Sequence, residues 1–365
     1  MALWIPYFSV TLIIWFLSKL RANNVVTLNL NNRSVQKGNT SVLPWILILI
    51  VLCVFCAFRS ISSSSIDEYA YRNRFRIYQG TSLLEALEIS EGEYINGLLA
   101  WLSTVIFKTD QGIIITYSII AVIFYILSIK KYCNGSSYGI ALLMAMGVVN
   151  TLFNIEQQAI ACAIFLYFSD YISEKHLWKY LLLVIVCFFI HNISIILLPL
   201  YFIVNKNPSR LRGVIYIAFS LFAIRLFYLA IPFIAKFIPM LSQYTEFVES
   251  GHAGVVLITV IINCVPSIFA FLFMDALSDN GKYESICTNM TFIHAGIYLA
   301  SLGDRYIARL AMFTLPFCVM FLVQVANRFD DKMEKYFFQI SSILLYSVEL
   351  YLRMSGCFYA FNFSL

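Results

Sequence analysis

Two arginines beside a late apolar block have the spacing of a phosphate-binding pair. Arg305 and Arg309 stand one α-helical turn apart, so a helix would place both on one face. Arginine binds phosphate through a planar fork of N–H donors and keeps its charge at physiological pH. The pair therefore suits a pyrophosphate group near a membrane surface. The alternative is that both side chains are anchors that reach from an apolar helix to the membrane interface.

Two further ionisable side chains stand inside apolar stretches, where a charge is costly and marks either a functional site or a buried pair. Arg225 interrupts the block 213–230 and needs a partner, which is either a carboxylate of the protein or an anionic ligand. His191 stands alone in the apolar stretch 179–204. Its imidazole suits a general base or a phosphate ligand, and the alternative is a hydrogen-bonded packing residue.

The stretch from Arg59 to Glu93 mixes charged residues with tyrosines. It contains the run Asp67-Glu68-Tyr69-Ala70-Tyr71-Arg72-Asn73-Arg74-Phe75 and ends in Glu91-Gly92-Glu93-Tyr94. Carboxylates, guanidinium groups and aromatic rings in such a mixture suit a hydroxyl-rich ligand such as a sugar. The alternative is a solvated loop whose charges pair with one another.

A second polar break, Asn154-Ile155-Glu156-Gln157-Gln158, lies inside what would otherwise be one continuous apolar hairpin. Amides in such a position either face a ligand or join neighbouring helices through hydrogen bonds. The sequence leaves both interpretations open.

Apolar helices are the elements that must position these side chains. The chain has 365 residues, of which 61% are hydrophobic and 12% are charged, whereas a soluble domain has roughly 25% charged residues. The apolar blocks, of about 16 to 20 residues, match a bilayer core about 30 Å thick. The sequence predicts an all-α polytopic membrane protein with about ten to twelve transmembrane helices, organised as a single membrane domain over residues 1–365.

The predicted spans are 3–18, 42–58, 94–107, 112–129, 137–152, 156–172, 179–204, 213–230, 254–273, 286–302, 306–325 and 335–352. Basic residues collect in cytoplasmic loops. Four loops are therefore placed on the cytoplasmic side, and they contain Lys19 to Lys37, Lys130-Lys131, Lys175 to Lys179 and Lys206 to Arg212. With these loops inside, 179–204 is predicted to form two short helices that turn near His191-Asn192. The short block 94–107 is predicted to be re-entrant or interfacial.

This orientation places the polar segments together on the outer face of the membrane. They are the loop of about 59–93, the tip at 154–158, the tip at His191, residues 236–252, the segment 303–309 and the C-terminal tail.

Several function classes lack their sequence signatures. The chain has no Walker A loop, no H-E-x-x-H zinc motif and no D-x-D that would chelate a nucleotide-sugar metal. The formal charge of +5 comes from residues spread among short loops, which does not favour nucleic acid as a partner. We therefore expect no soluble nucleotide donor, metal or other cofactor.

Taken in order, the polar segments resemble the EpsG family of Wzy-type polysaccharide polymerases, over about residues 45 to 365. The matching positions are Arg59, Asp67 with Tyr69 and Tyr71, Glu91 with Tyr94, Asn154 with Gln158 and Ala161, His191 with Ser194, Arg309 with Phe313, and the aromatic tail Phe358-Tyr359-Ala360-Phe361. Each motif is short, so the specificity lies in their order. One departure is Gln157, because the family pattern N-x-x-R-Q has arginine there. We expect a nearby arginine such as Arg225 or Arg305 to replace the missing charge, unless the register differs.

The resemblance implies a metal-independent glycosyltransferase in the bacterial inner (cytoplasmic) membrane. It would transfer a growing glycan from undecaprenyl pyrophosphate to a lipid-linked repeat unit at the outer face. It also implies a chain-length-regulating co-polymerase as a partner.

That reaction assigns roles to the candidate residues. Fixed arginines would stabilise the charge that develops on the pyrophosphate leaving group, and a single displacement would invert the anomeric centre. The expected general base is His191, with Asp67 or Glu91 as the second choice. The expected substrate-binding residues are Arg59, Tyr69, Tyr71, Asn154, Gln157, Gln158, Arg225, Arg305 and Arg309.

Three alternatives remain. An O-antigen ligase performs the same chemistry, but such ligases carry a large late periplasmic loop, and the corresponding segment here, about 236–252, is short. A repeat-unit flippase or other transporter would show internal repeats and polar breaks at the bilayer midplane. A membrane acyltransferase would carry a paired histidine or an arginine-rich motif near the first helix, and this chain lacks both.

Overall fold

The described part of the chain is predominantly helical. A computed structural model describes residues 1–22, 25–30, 33–38, 42–62, 67–237, 245, 253–276, 281–355 and 357–363. Helices account for most of these residues, which confirms the all-α expectation. The predicted outer segment 236–252 lies almost entirely outside the described residues, as do the side chains of the first predicted inside loop.

Most predicted apolar blocks correspond to helices, because an apolar stretch must satisfy its backbone hydrogen bonds internally. The described α-helices are α1 (Trp4–Ala22), α2 (Leu43–Ala57), α3 (Glu68–Tyr78), α4 (Leu83–Ile89), α5 (Tyr94–Ile106), α6 (Gln111–Tyr132), α7 (Ser137–Ala145), α8 (Glu156–Tyr167), α9 (Asp170–Ser173), α10 (Leu177–Ile190), α11 (Leu200–Ile203), α12 (Arg210–Ile234), α13 (Leu257–Leu272), α14 (Lys282–Ala300), α15 (Leu315–Ala326) and α16 (Lys332–Met354). The described 3-10 helices are η1 (Val149–Phe153), η2 (Asn192–Leu197) and η3 (Arg305–Phe313). Helix α6 packs on α2 and α8, and α14 packs on α12, α13 and α15.

Two small antiparallel sheets were not predicted from the sequence. Strands β1 (Val25–Leu30) and β2 (Arg33–Gly38) form a hairpin after α1. Strand β3 (Arg59–Ser62) pairs with β4 (Phe358–Phe361), so the C-terminal tail lies against the chain where it leaves α2. The hydroxyl of Tyr359 donates to the carbonyl oxygen of Phe55 at 2.8 Å, and the two rings stack with their centroids 5.2 Å apart.

Several predicted spans are interrupted. Within the described residues, α6 is the helix that is long and apolar enough to cross a membrane by itself. Helices η3 and α15 meet the same criterion as a pair bent by 58°. Several other apolar helices, among them α2, α5, α10 and α13, are shorter than α6. In the block 137–152 a turn is the cause, because Gly147, with φ of 76°, ends the helical path before η1 begins. The predicted ten to twelve crossings therefore stay a prediction.

The stretch 179–204 is divided at the predicted position. Helix α10 ends at Ile190, His191 has extended backbone angles of −152° and 113°, and η2 begins at Asn192. The chain then returns along α10, because the hydroxyl of Tyr180 donates to the carbonyl oxygen of Leu197. This geometry confirms the predicted hairpin.

The segment 59–93 contains two short helices, α3 and α4, instead of an extended loop. A capping box starts α4: the Ser82 side chain accepts from the Glu85 amide, and the Glu85 carboxylate accepts from the Ser82 amide. The turn after α4 has φ of 51° at Glu91 and 94° at Gly92. Left-handed backbone at both residues reverses the chain and presents Glu93 at the start of α5.

Candidate functional site

The first turn of α8 connects three separate parts of the molecule. Glu156, Gln157 and Gln158 are consecutive and nearly fully buried, with relative exposures of 1%, 6% and 2%. Each side chain hydrogen-bonds to a different segment, as the next paragraphs describe. Three neighbouring polar side chains therefore fix the positions of segments that are distant in sequence.

Glu156 forms a closed ion pair with Arg59. The two side chains are 1% and 0% exposed, and the guanidinium group also donates to the hydroxyl of Ser118 at 2.8 Å. Further donor contacts go to the carbonyl oxygens of Cys56 and Leu152. Arg59 is thus enclosed by protein, although the sequence suggested a substrate-binding role for it.

Gln157 joins α3 to the turn before α5. Its amide oxygen accepts from Nη1 of Arg74 at 2.6 Å, and its amide nitrogen donates to the carboxylate of Glu93 and to the carbonyl oxygen of Ile190 at 3.1 Å. Arg225 or Arg305 was expected to replace the charge that is missing at this position. The arginine that contacts Gln157 is instead Arg74, which sequence spacing alone could not have identified because the contact is tertiary.

Glu93 lies against His191. Oε1 of Glu93 is 3.1 Å from Nδ1 of His191 and accepts from the backbone amide of Asn192 at 3.0 Å. Burial opposes ionisation of this carboxyl, but the hydrogen bond and charge of His191, the Asn192 amide and the charge of Arg74 together lower the pKa of Glu93 below its ordinary value. Glu93 is therefore a carboxylate at neutral pH.

Gln158 holds the segment that carries the predicted arginine pair. Its amide nitrogen donates to the carbonyl oxygen of Arg309 at 2.7 Å. Nη2 of Arg309 is 3.7 Å from Oδ2 of Asp67, and the backbone amide of Asp67 donates to Oδ1 of Asn154 at 3.1 Å. Four predicted site residues, Asp67, Asn154, Gln158 and Arg309, thus lie together.

A cavity of about 220 Å³ with a mixed polar and apolar lining lies beside this group. The described arginines that line the cavity are Arg305, Arg309 and Arg353. Its other polar residues include Asn150, Asn154 and Thr259. The Arg309 side chain is 36% exposed and that of Arg353 is 35% exposed. The cavity therefore presents guanidinium donors to open space, as an anion-binding site requires.

The segment that carries Arg305 and Arg309 is a 3-10 helix and not the expected α-helix. With three residues per turn, side chains four positions apart do not align on one face. Both guanidinium groups nevertheless lie over the ring of Tyr306, at 5.6 Å and 4.8 Å from its centroid, and both line the cavity. Close backbone approach fixes this segment: a Cβ at Gly254 would lie 1.8 Å from the carbonyl oxygen of Leu302.

The remaining predicted residues lie in different environments. Tyr71 is buried, with 7% of its surface exposed. Its ring centroid is 6.0 Å from that of Tyr117, and Arg74 lies over its ring. Tyr69 is 73% exposed, and Glu91 is exposed on the turn before α5. Arg225 is exposed on α12 and is not among the residues that line the cavity.

Three residues of the site were missed by sequence reasoning: Arg74, Glu93 and Arg353. Arg74 and Glu93 belong to polar runs already recognised, but only tertiary contacts distinguish them from their charged neighbours. Arg353 is near the end of α16, where its Nε is 2.7 Å from Oε1 of Glu349. Its position four residues after a carboxylate inside an apolar helix was the available signal.

A second charge cluster fixes α3 without facing the cavity. Arg72 forms ion pairs with Glu68 at 2.7 Å and Asp110 at 2.8 Å, and it donates to Oε1 of Gln111 at 2.6 Å. Gln111 in turn donates to the carbonyl oxygen of Arg59 at 3.0 Å. These contacts position α3, and therefore Arg74, against the first turn of α6.

A family model matches most of this chain, and the described residues contain no cluster of metal ligands. In the described part of the chain, no group of three or more His, Cys, Asp or Glu residues could hold a metal ion. No curated protein and no solved structure matches the chain. The sequence profile of the EpsG family, which is associated with Wzy-type polymerases, matches residues 42–363 and so covers nearly the whole chain. The chain belongs to the EpsG family.

Proposed function

We propose that this protein is a polysaccharide polymerase of the bacterial inner membrane, with several transmembrane helices. It transfers a growing glycan from undecaprenyl pyrophosphate to a lipid-linked repeat unit at the outer face. The observation that carries this proposal is the cavity lined by Arg305, Arg309 and Arg353 in an EpsG-family chain. The neighbouring residues Gln158 and Gln157 of α8 connect the Arg309 backbone and the His191–Glu93 pair, respectively. A pyrophosphate leaving group needs fixed positive charge, and the transfer needs a base for the acceptor hydroxyl.

The arginine cavity is the proposed site of the pyrophosphate. As the glycosidic bond breaks, negative charge grows on the leaving oxygen, so guanidinium groups already in place stabilise the transition state more than the ground state. Asp67 is 3.7 Å from Arg309 and 45% exposed, so it orients this arginine and offers an acceptor to sugar hydroxyls. Arginines supply this stabilisation directly, so the proposed reaction is independent of metal.

His191 is the proposed general base. The acceptor hydroxyl oxygen attacks the anomeric carbon, and the bond from that carbon to the pyrophosphate oxygen breaks. The hydroxyl proton moves to His191, and the bonding electron pair leaves with the pyrophosphate. A single displacement inverts the anomeric centre. NMR of the product linkage tests this expectation, and retention of configuration would exclude the single displacement.

A deletion strain provides the test, read from gels of its surface polysaccharide. Loss of a polymerase leaves one repeat unit on the acceptor, whereas loss of a flippase leaves a bare acceptor and loss of an O-antigen ligase leaves long chains unattached. We expect the single-unit pattern, with the long-chain ladder restored by the wild-type gene and by Arg210→Ala. Arg210 is a matched control because it is an exposed arginine paired with Asp275.

His191→Ala and Arg309→Ala, at matched membrane levels, should keep the single-unit pattern. A ladder that persists after deletion would contradict the polymerase proposal, and a bare acceptor would favour a transporter.

A further inference from the structure

A chain of buried polar contacts leads from α3 to the ring of His191. Arg74 has only donors, so the Gln157 atom that it contacts at 2.6 Å is the amide oxygen. The amide nitrogen of Gln157 must then point to Glu93 and to the carbonyl oxygen of Ile190. The orientation of this amide is therefore fixed by its partners.

The carboxylate of Glu93 is surrounded by donors on both oxygens. One oxygen accepts from Gln157, and the other accepts from the Asn192 amide at 3.0 Å and lies 3.1 Å from Nδ1 of His191. An ionised carboxylate can only accept, so Nδ1 of His191 carries the proton in this contact. In the neutral imidazole, Nε2 is then the free acceptor.

We infer that Glu93 is the positioning residue of His191, and that Gln157 and Arg74 hold Glu93 in place. This inference rests on the proposed function, in which His191 takes the proton of the acceptor hydroxyl. Glu93 fixes the tautomer in which Nε2 is free, and it stabilises the imidazolium that forms when Nε2 receives the proton. The proton later leaves Nε2 for water or for the released pyrophosphate, which restores the neutral ring.

The charged surroundings of the pair come from several segments. Arg74 and the Tyr78 hydroxyl face Glu93 from α3, and Glu91 lies in the turn before Glu93. Arg74 carries a positive charge, and it is separated from the ring of His191 by Gln157 and Glu93. Removal of the Glu93 carboxylate therefore leaves His191 next to fewer negative charges, and the imidazolium becomes less favourable.

The isosteric variant Glu93→Gln is the sharpest test. Gln157 and the Asn192 amide both present donors, so the new amide must oppose a donor or turn its nitrogen toward Nδ1 of His191. The first arrangement pushes the new side chain away from Gln157, the second reverses the required tautomer, and both lack the negative charge that stabilises the imidazolium. We expect kcat to fall on the order of 100- to 10,000-fold, with KM changed by less than about threefold, and the acidic limb of the kcat profile moved to lower pH.

The assay uses the full chain in lipid nanodiscs with a synthetic polyprenyl-pyrophosphate repeat unit and follows chain extension from pH 5 to 9. Glu88→Gln is the matched control, because Glu88 is exposed on α4; it should keep the wild-type kcat. Glu93→Asp retains a carboxylate on a shorter side chain and should recover part of kcat. Gln157→Met removes the hydrogen bonds that join Gln157 to Glu93 and Arg74 and leaves Glu93 itself unchanged. This variant should lower kcat by about 10-fold or more, and it replaces Glu93→Gln as the test if Glu93→Gln does not accumulate.

The outcomes separate this inference from the proposed function. If His191→Ala abolishes extension while Glu93→Gln and Gln157→Met keep wild-type kcat and pH profile, the positioning role of Glu93 is overturned and the polymerase proposal stands. If His191→Ala retains activity, the assignment of the base fails and the positioning role fails with it. If the wild-type chain does not extend the substrate, the proposed function itself fails.

Discussion

Two arginine–carboxylate pairs in this molecule have different surroundings. Arg59 and Glu156 form a pair that is 0% and 1% exposed and closed on all sides by protein. Arg309 and Asp67 are 36% and 45% exposed, and their partners leave an open cavity beside them. The closed pair joins β3 to α8, whereas the open pair has guanidinium donors available for an anion. Burial, and not residue type, distinguishes the enclosed Arg59 from Arg309, which we propose binds an anion.

The largest expected effect is on the closed pair. Removal of one partner leaves a buried charge without compensation, which costs about 3–5 kcal/mol. Arg59→Met should therefore lower the unfolding temperature sharply and reduce the amount of protein in the membrane. Thermal unfolding of the detergent-solubilised chain measures this loss.

The double variant Arg59→Met/Glu156→Leu gives the control for that prediction. Replacement of both charges by apolar groups removes the uncompensated charge, so it should recover much of the stability lost in the single variant. Equal instability of the single and double variants would show that the pair does more than balance two charges.

Substitution of an arginine in the open cavity should lower activity and leave stability nearly unchanged. Arg309→Ala removes a donor from the proposed pyrophosphate site, so we expect turnover to fall on the order of 100- to 1,000-fold with the unfolding temperature changed by little. Chain extension in nanodiscs and thermal unfolding are the paired measurements. A stability loss as large as that of Arg59→Met would make Arg309 another structural arginine.

An acid-dependent effect is expected from Glu93. Its folded-state pKa lies below the ordinary value of 4.5, so the ionised form is favoured by folding. The stability that it contributes is complete above that value and is lost as the pH falls through the lowered folded-state pKa. The difference in unfolding temperature between wild type and Glu93→Gln should therefore shrink below about pH 4, where the wild-type carboxylate becomes protonated. A difference that stays undiminished below about pH 4 would contradict the ionised state of Glu93.

The smallest effects are expected at two residues that the sequence suggested as substrate-binding. Tyr69 is 73% exposed and Arg225 is exposed outside the cavity. Tyr69→Ala and Arg225→Ala should each change turnover by less than about threefold, within the range typical of surface substitutions. A large loss in either variant would extend the site beyond the cavity.

The sequence predicted the helices and the hairpin at His191 because apolar runs and polar breaks are local signals. It could not predict the pairing of β3 with β4, since strand partners that lie at opposite ends of the chain leave no local pattern. The bends that divide the blocks 137–152 and 306–325 were missed for a related reason, because 3-10 helices form there within largely apolar sequence.

The sequence predicted many residues of the candidate site, but it did not predict which of them contact one another. Asp67, Asn154, Gln158 and Arg309 were all chosen, and the structure brings them together. Glu91 was chosen instead of Glu93 because both stand in one polar run. Only the left-handed turn at Glu91-Gly92 decides which carboxylate meets His191. Arg74 reaches Gln157 through packing of α3, which no spacing rule anticipates.

Equilibrium binding of a fluorescent polyprenyl-pyrophosphate oligosaccharide to the chain in nanodiscs tests the central claim most directly. We expect Arg305→Ala and Arg309→Ala each to weaken binding by about 10-fold or more, as loss of a charge-assisted contact would. Arg210→Ala should bind as the wild type does. Equal affinity for all four proteins would contradict the assignment of the open arginine cavity as the pyrophosphate site.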